Sequence, residues 1–120
     1  MKKYLVLSLL IIAVVMISSC QSTDEDVAET GSESVEMLAK CLTENGAVMY
    51  GAYWCSHCND QKGMFGDAVK FINYVECTED QQACAEAGVQ GYPTWIFADG
   101  SSVAGAQQLG TLAAATGCEY

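Results

Sequence analysis

The sequence has no arginine, a single histidine and a single proline among its 120 residues. Its 5 basic residues are all lysines and stand against 15 acidic residues, which gives a formal net charge of −10. A protein that binds nucleic acid, or that binds an anionic membrane through a polybasic patch, needs a basic surface. The charge therefore argues against both classes. A single histidine, His57, also excludes a metal site built from several histidines.

Cysteine is the residue type that the sequence has in excess. The count of 7 is high and odd for a chain of 120 residues, a length that suits one domain rather than two. Disulfides persist in exported proteins, and an odd count there indicates that one cysteine has a separate role. The interpretation of the chain therefore depends on where these sulfur atoms go.

Residues 1–19 have the features of a secretory signal peptide. Lys2 and Lys3 precede an apolar run over residues 4–17, which is short for a membrane-spanning helix of about 20 apolar residues. The segment ISSC, which ends at Cys20, resembles the lipobox of bacterial lipoproteins. That resemblance implies cleavage before Cys20, lipidation of Cys20, and an exported protein anchored by lipid on the periplasmic or extracellular face. The alternative is an ordinary signal or an uncleaved anchor.

The rest of the chain divides into a tether and a domain. Residues 20–33 are polar and acidic and lack aromatic side chains, so we expect a flexible tether that follows the lipidated cysteine. Residues 34–120 carry the periodic apolar patterns of a folded domain. Removal of the signal peptide and use of Cys20 for lipid would leave an even number of cysteines available for pairing.

Hydrophobic periodicity predicts alternating helices and strands in the domain. Gly63 and Gly66 are expected to weaken and bend the second helix, and Thr78 with Gln81 is predicted to form a capping box for the third. The expected order is helix 34–44, strand 47–52, helix 55–72, strand 73–77, helix 78–87, strand 94–98, strand 101–104 and helix 109–116.

This order predicts an α/β fold. The strand-helix-strand unit implies two parallel strands with a right-handed crossover, and a turn at residues 99–100 adds an antiparallel strand. We therefore expect a small mixed four-stranded sheet with helices on both faces.

The motif Cys55-Ser56-His57-Cys58 directly follows the first strand and opens the long helix. Unsatisfied N–H groups at a helix N-terminus favour a thiolate, which makes the first cysteine a nucleophile. Trp54 beside the motif and His57 within it complete the expected site, because a histidine there stabilises the thiolate further. The alternatives are a structural disulfide and half of a zinc site, although His57 is poorly placed to share an ion with both cysteines.

The segments YWCSHC and GYPTW, together with the strand order, resemble the thioredoxin superfamily over about residues 34–118. The longer pattern from GAVMYGAYWCSHC to GVQGYPTWIF resembles the thioredoxin-like domain associated with bacterial homologues of vitamin K epoxide reductase. The resemblance implies that Cys55 attacks a substrate disulfide and that Cys58 resolves the mixed disulfide. It also implies that Pro93 is cis beside the active-site sulfur and that the backbone of Tyr92 pairs with the substrate chain.

The resemblance further implies a thiol-disulfide oxidoreductase that acts on protein thiols and disulfides. It implies a membrane partner linked to quinone, and it requires no organic cofactor because the cysteine pair is itself the redox centre. A thioredoxin-like binding module without catalytic activity, stapled by disulfides, is the alternative from another functional class.

One departure from the thioredoxin pattern bears on the direction of electron flow. Thioredoxins carry a buried aspartate where this sequence has Met49, and a nearby lysine where it has Tyr74. The dipeptide Ser56-His57 resembles the Pro-His of bacterial disulfide-forming oxidases, in which the disulfide is oxidising. We therefore expect an oxidase or isomerase, with the reductase direction as the alternative.

Four cysteines remain for structural disulfides. The domain that this chain resembles has a second cysteine pair in the region of Cys77 and Cys84, which supports a bridge between these two. Cys41 and Cys118 then pair by elimination, although six cysteines allow 15 connectivities. A second redox pair at Cys77 and Cys84, which passes electrons to the first pair, is the functional alternative.

Overall fold

The computed structural model describes residues 26–120. The signal peptide predicted for residues 1–19, the lipidation predicted at Cys20 and the first part of the predicted tether lie outside this range. Among the described residues, no helix is long and apolar enough to cross a membrane. The elements in chain order are α1 (Asp26–Glu44), β1 (Val48–Gly51), α2 (Ser56–Phe65), a 3-10 helix (Gly66–Phe71), β2 (Asn73–Glu76), α3 (Gln81–Glu86), β3 (Thr94–Ile96), β4 (Ser102–Ala104) and α4 (Leu109–Thr116).

The four strands form one mixed sheet in the order β2-β1-β3-β4. Strand β1 runs parallel to β2, with Met49 opposite Tyr74 and Gly51 opposite Glu76. Strand β3 runs antiparallel to β1 and forms a hairpin with β4. The predicted α/β class and the mixed sheet are confirmed, because the apolar runs that were predicted as strands are the strands of the structure.

Helix α1 begins at Asp26, eight residues before its predicted start at Ser34. The predicted start marks only the point where apolar periodicity begins. The buried side chains Leu38, Ala39 and Leu42 do lie in the second half of α1. Residues 26–33 contain no proline and only one glycine, so helical hydrogen bonding continues through this stretch. Residues 26–33 are therefore helical in the structure, in the part of the chain where the sequence predicts a flexible tether.

The long second helix predicted for residues 55–72 is two elements. Helix α2 ends at Phe65, and the next residue, Gly66, has a φ of +54°, which a residue with a side chain rarely adopts. The chain then continues as a 3-10 helix to Phe71. The expected weakness of this helix is confirmed at Gly66, whereas Gly63 remains within α2.

The N-cap of α3 is Asp80, not the predicted Thr78. The Asp80 carboxylate accepts a hydrogen bond from the backbone N–H of Ala83 at 2.9 Å. The Thr78 hydroxyl instead donates to the Glu76 carboxylate at 2.8 Å. The predicted capping box is wrong because the Thr78 hydroxyl donates its hydrogen bond to the Glu76 carboxylate at the end of β2 and does not cap α3.

A buried amide fixes α2 to the sheet. The side chain of Gln61 is fully buried, and its Oε1 accepts hydrogen bonds from the Trp95 indole at 3.1 Å and from the Gln107 N–H at 2.6 Å. Its Nε2 donates to the Gln107 carbonyl at 3.0 Å. Helix α2, strand β3 and the chain that leads into α4 therefore share one polar junction inside the apolar core.

Candidate active site

Cys55 is the N-cap of α2 and follows the short loop that leaves β1. Its backbone is extended, with φ −78° and ψ 115°, and its Sγ accepts a hydrogen bond from the backbone N–H of Cys58 at 3.2 Å. One of the N–H groups that have no partner within the helix therefore donates to this sulfur. Cys55 therefore lies at the N-terminus of α2, which is the positive end of the helix dipole.

Cys58 lies one turn further along the helix and is fully buried, whereas Cys55 retains 7% of its exposure. Both are free thiols in the structure. Burial, followed by the hydrogen bond with Cys55, raises the pKa of the Cys58 thiol to about 11. The two sulfurs are therefore unequal: Cys55 faces the surface, and Cys58 lies behind it as a protonated thiol.

A groove of about 480 Å³ opens over Cys55, formed by residues 54–57 on one side and residues 90–92 on the other. Trp54 is 63% exposed and packs edge to face against Tyr92, with 5.9 Å between ring centroids. Trp54 therefore lies at the rim of the groove, whereas the other tryptophan, Trp95, is fully buried on β3. The groove is open to solvent beside Cys55.

Pro93 directly follows Tyr92, which lines this groove. The Tyr92–Pro93 peptide bond is cis, as the resemblance implied, and Pro93 is buried directly before β3. The Pro93 carbonyl accepts a hydrogen bond from the Gly105 N–H at 2.8 Å, which fixes the loop to the chain that follows β4. The chain turns at Pro93 in such a way that Tyr92 lies against Trp54 over the groove.

His57 is exposed and lies on the wall of the same groove. Its Nδ1 is 3.9 Å from a carboxylate oxygen of Asp60, one turn along α2. The proposed influence of His57 on the cysteine pair stays a prediction. Within residues 26–120, no group of three or more histidine, cysteine or acidic side chains is arranged to hold a metal ion.

The other four cysteines form the two expected disulfides. Cys41 is bonded to Cys118 with 6.0 Å between Cα atoms, and Cys77 is bonded to Cys84 with 5.7 Å between Cα atoms. Cys77 and Cys84 are 2% and 4% exposed, so this second bridge is shielded from thiols in solution. The Asn45 amide, which the sequence did not single out, lies 3.6 and 3.5 Å from the sulfurs of the Cys41–Cys118 bridge.

The sequence did not assign a role to the groups that surround Cys58. Residue 51 is a glycine, and a Cβ there would lie 2.9 Å from the Cys58 sulfur and 3.2 Å from the Tyr74 hydroxyl. That hydroxyl donates to Glu76 at 2.9 Å, and the Lys62 ammonium lies 3.6 Å from the centre of the Tyr74 ring. Alternation of side chains along β2 predicts that residues 74 and 76 lie on one face of the strand. That this face lies beside Cys58 follows only from the pairing of β2 with β1, which brings Tyr74 next to Gly51.

Comparison with known proteins identifies similar domains. The model of the thioredoxin family matches residues 26–116. The chain is 45% identical over 101 residues to the thiol-disulfide oxidoreductase LTO1 of Arabidopsis thaliana, an alignment that covers 77% of this chain and 27% of that protein. It is 28% identical over 81 residues to the protein disulfide-isomerase of Aspergillus niger, covering 60% of this chain and 15% of that protein.

Among solved structures, the N21Q mutant of thioredoxin from Halobacterium salinarum NRC-1 is similar, with a TM-score of 0.50 and 25% sequence identity. That alignment covers 66% of this chain and 79% of the halobacterial chain. The chain spans only about a quarter, or less, of the length of the two curated relatives above.

Proposed function

Since the chain belongs to the thioredoxin family, we propose that it is a thiol-disulfide oxidoreductase whose redox centre is the pair Cys55 and Cys58. The observation that carries the proposal is the inequality of the two sulfurs. One lies in a groove and receives a helix N–H at 3.2 Å, and the other is a buried thiol one turn behind it. The names of the relatives, an oxidoreductase and a disulfide isomerase, agree with this chemistry.

The reaction exchanges one disulfide for another. The Cys55 thiolate attacks one sulfur of a substrate disulfide, and the other substrate sulfur leaves as a thiolate. Cys58 then loses its proton and attacks the Cys55 sulfur, which releases the second substrate thiolate and forms the Cys55–Cys58 disulfide. Each substrate thiolate takes a proton from water, so the substrate gains two electrons and two protons. The reverse sequence oxidises a substrate dithiol.

The site supports a protein substrate bound as an extended chain. The groove runs between the cysteine motif and residues 90–92, so the backbone of Tyr92 borders the position of a peptide sulfur. We propose that this backbone aligns the peptide and that Trp54 covers its apolar side chains. His57, which lies beside Cys55, then adjusts the stability of the thiolate when it is protonated.

We propose the oxidase or isomerase direction. In the structure, Met49 is fully buried on β1 and no carboxylate occupies that position, so the pattern differs from that of thioredoxin reductants. We also assign the chain to the lineage associated with vitamin K epoxide reductase homologues, with a quinone-linked membrane protein as its oxidant. Two further disulfides in the same domain support an oxidising compartment.

The activity is tested by catalysed oxidation of a reduced protein and by reduction of insulin, with Cys55→Ser as the inactive comparison. A reduction potential of the pair near about −120 mV supports an oxidase, whereas one near about −270 mV supports a reductase. If Cys55→Ser leaves both rates unchanged, or if the protein is inactive in both assays, the chain is instead a binding module without catalytic activity.

The location is a separate proposal, which rests on the residues before the domain. We propose an exported protein with lipid on Cys20, anchored to the membrane. Metabolic labelling with a radioactive fatty acid is expected to label the parent and not Cys20→Ala. Label retained by Cys20→Ala, or parent protein found only in the cytosol, contradicts it.

A further inference from the structure

The resolving cysteine has a proton that must leave a closed site. Cys58 is fully buried, and its thiol has to lose a proton before its sulfur attacks. In the mixed disulfide, the Cys55 sulfur is bonded to substrate and cannot accept that proton. If the proposed function is correct, the resolving step therefore needs another acceptor, and this acceptor has to connect the buried sulfur with water.

The groups that the structure shows around Cys58 favour transfer of its proton towards β2. From α2 it is faced by the charge of Lys62, and from the N-cap of that helix by Cys55. Gly51 at the end of β1 and the next residue, Ala52, also face it, and neither can titrate. From β2 it is faced by the phenol of Tyr74. The absence of a side chain at Gly51 creates a notch that the Cys58 sulfur and the Tyr74 hydroxyl share, at 2.9 and 3.2 Å from the Cβ position there.

Tyr74 leads from this notch towards the surface. Its hydroxyl donates to Glu76 at 2.9 Å, and Glu76 is partly exposed at the end of β2. Burial alone would raise the pKa of Glu76, but hydrogen bonds from Thr78 and Tyr74 outweigh it and lower that pKa. The acceptor at the surface end is therefore ionised at neutral pH. Lys62 lies over the Tyr74 ring at 3.6 Å and restrains it in this position.

We propose that Tyr74 and Glu76 form a relay that carries the proton between the buried Cys58 thiol and water during the resolving step. As Cys58 attacks the Cys55 sulfur, the Tyr74 oxygen accepts the thiol proton and its own proton passes to Glu76. Glu76 then releases this proton to water, and the leaving thiolate takes a proton from water. No oxidant beyond the substrate disulfide is consumed, because the S–S bond of the mixed disulfide breaks as the Cys55–Cys58 bond forms.

The experiment separates the two steps with 5,5′-dithiobis(2-nitrobenzoate) on the full chain, reduced at the Cys55–Cys58 pair only. Cys55 releases the first thionitrobenzoate, and attack by Cys58 releases the second. Thionitrobenzoate leaves as a thiolate at neutral pH, so the second phase requires only the loss of the Cys58 proton. Both releases are followed in one stopped-flow trace across a range of pH.

Two substitutions each remove one proton carrier and keep the size of its side chain. Tyr74→Phe keeps the ring under Lys62, and Glu76→Gln keeps an oxygen that accepts from Tyr74 and Thr78. Each is expected to slow the second phase by at least about tenfold near neutral pH, while the first phase is unchanged; full general acid–base effects are typically about 10²–10⁴-fold. The rate of the second phase should then rise in proportion to hydroxide. Glu76→Asp should be faster than Glu76→Gln, and the matched control Glu79→Gln should equal the parent.

An unchanged second phase in either variant overturns the proposal, and so does equal slowing of both phases, because a merely structural role would affect them together. The proposed function fails differently: in that case the parent itself shows no first phase that depends on Cys55.

Discussion

The Trp95 indole donates a hydrogen bond at 3.1 Å to the side chain of Gln61, which lies 34 residues earlier in the chain. Both side chains are fully buried, and the same amide binds the backbone N–H and carbonyl of Gln107. Because Gln61 lies on α2 one turn after Cys58, this junction fixes the helix that carries the cysteine pair against the sheet. The position of both sulfurs therefore depends on a polar side chain in the core.

Replacing this amide is expected to destabilise the protein. Gln61→Leu keeps much of the volume but leaves the Trp95 indole N–H and the Gln107 backbone groups without their partner. We expect the free energy of unfolding to fall by about 3 kcal/mol, since each buried polar group left unsatisfied costs roughly 1–3 kcal/mol. Urea denaturation measures this value, with the exposed Gln82→Leu as the control. Equal stability of the two variants would show that water or repacking replaces the amide.

The sequence predicted the sheet and the cysteine motif because both depend on local pattern. Short apolar runs bounded by glycine or polar residues mark the strands, and the place of Cys55 between a strand and a helix follows from neighbouring residues alone. The cis bond before Pro93 came from family resemblance, because few such bonds are cis and local sequence does not show which.

The features that the sequence did not predict depend on contacts between distant residues. Gln61 looks like a solvent-facing residue of a polar helix until Trp95 and Gln107 are brought to it. Tyr74 was noted only as a departure from thioredoxin, because its relation to Glu76 and Cys58 follows from the register of β2 against β1. The wrong N-cap at Thr78 has a local origin instead, since its hydroxyl had two possible partners and it donates to the Glu76 carboxylate two residues earlier.

The inequality of the two active-site thiols predicts selective alkylation. The pKa of Cys58 is raised to about 11 by burial and by its hydrogen bond with Cys55, so at neutral pH it is an uncharged thiol that reacts slowly. We expect iodoacetamide to label Cys55 first at about pH 7 and to reach Cys58 only as the pH approaches the raised value. Peptide mass spectrometry locates the adduct, and protein unfolded in urea provides the control in which both react. Equal labelling of the folded protein at about pH 7 would contradict the assigned burial.

The two structural disulfides are expected to stabilise the fold by different amounts. The Cys41–Cys118 bridge spans 77 residues and the Cys77–Cys84 bridge spans 7, which corresponds to about 4–5 and about 2–3 kcal/mol of loop entropy. Cys41→Ala/Cys118→Ala should therefore lower the free energy of unfolding more than Cys77→Ala/Cys84→Ala.

The Cys77→Ala/Cys84→Ala variant also tests whether the shorter bridge takes part in catalysis. Because Cys77 and Cys84 are nearly inaccessible, their removal should leave the rate of disulfide exchange within about twofold of the parent at a temperature where both are folded. A large loss of exchange in the folded Cys77→Ala/Cys84→Ala variant would favour a second redox pair that passes electrons to Cys55 and Cys58.

The hydrogen bonds to Glu76 predict a specific acid dependence of stability. Burial opposes ionisation of this carboxyl, but the bonds from Thr78 and Tyr74 prevail, so its pKa in the folded protein is below the usual 4.5. The ionised group therefore stabilises the fold above about pH 4.5, and this contribution is lost as the pH falls through the lowered value. The stability difference between the parent and Glu76→Gln should be constant near neutral pH and should shrink in acid. Tyr74→Phe removes one of the bonds, so the pKa of Glu76 should lie closer to 4.5 and the variant should lose less stability in acid, over a narrower pH range, than the parent. Urea midpoints from about pH 3 to about pH 7 measure both effects, and a difference that does not change with pH would mean that these bonds do not favour the ionised carboxylate.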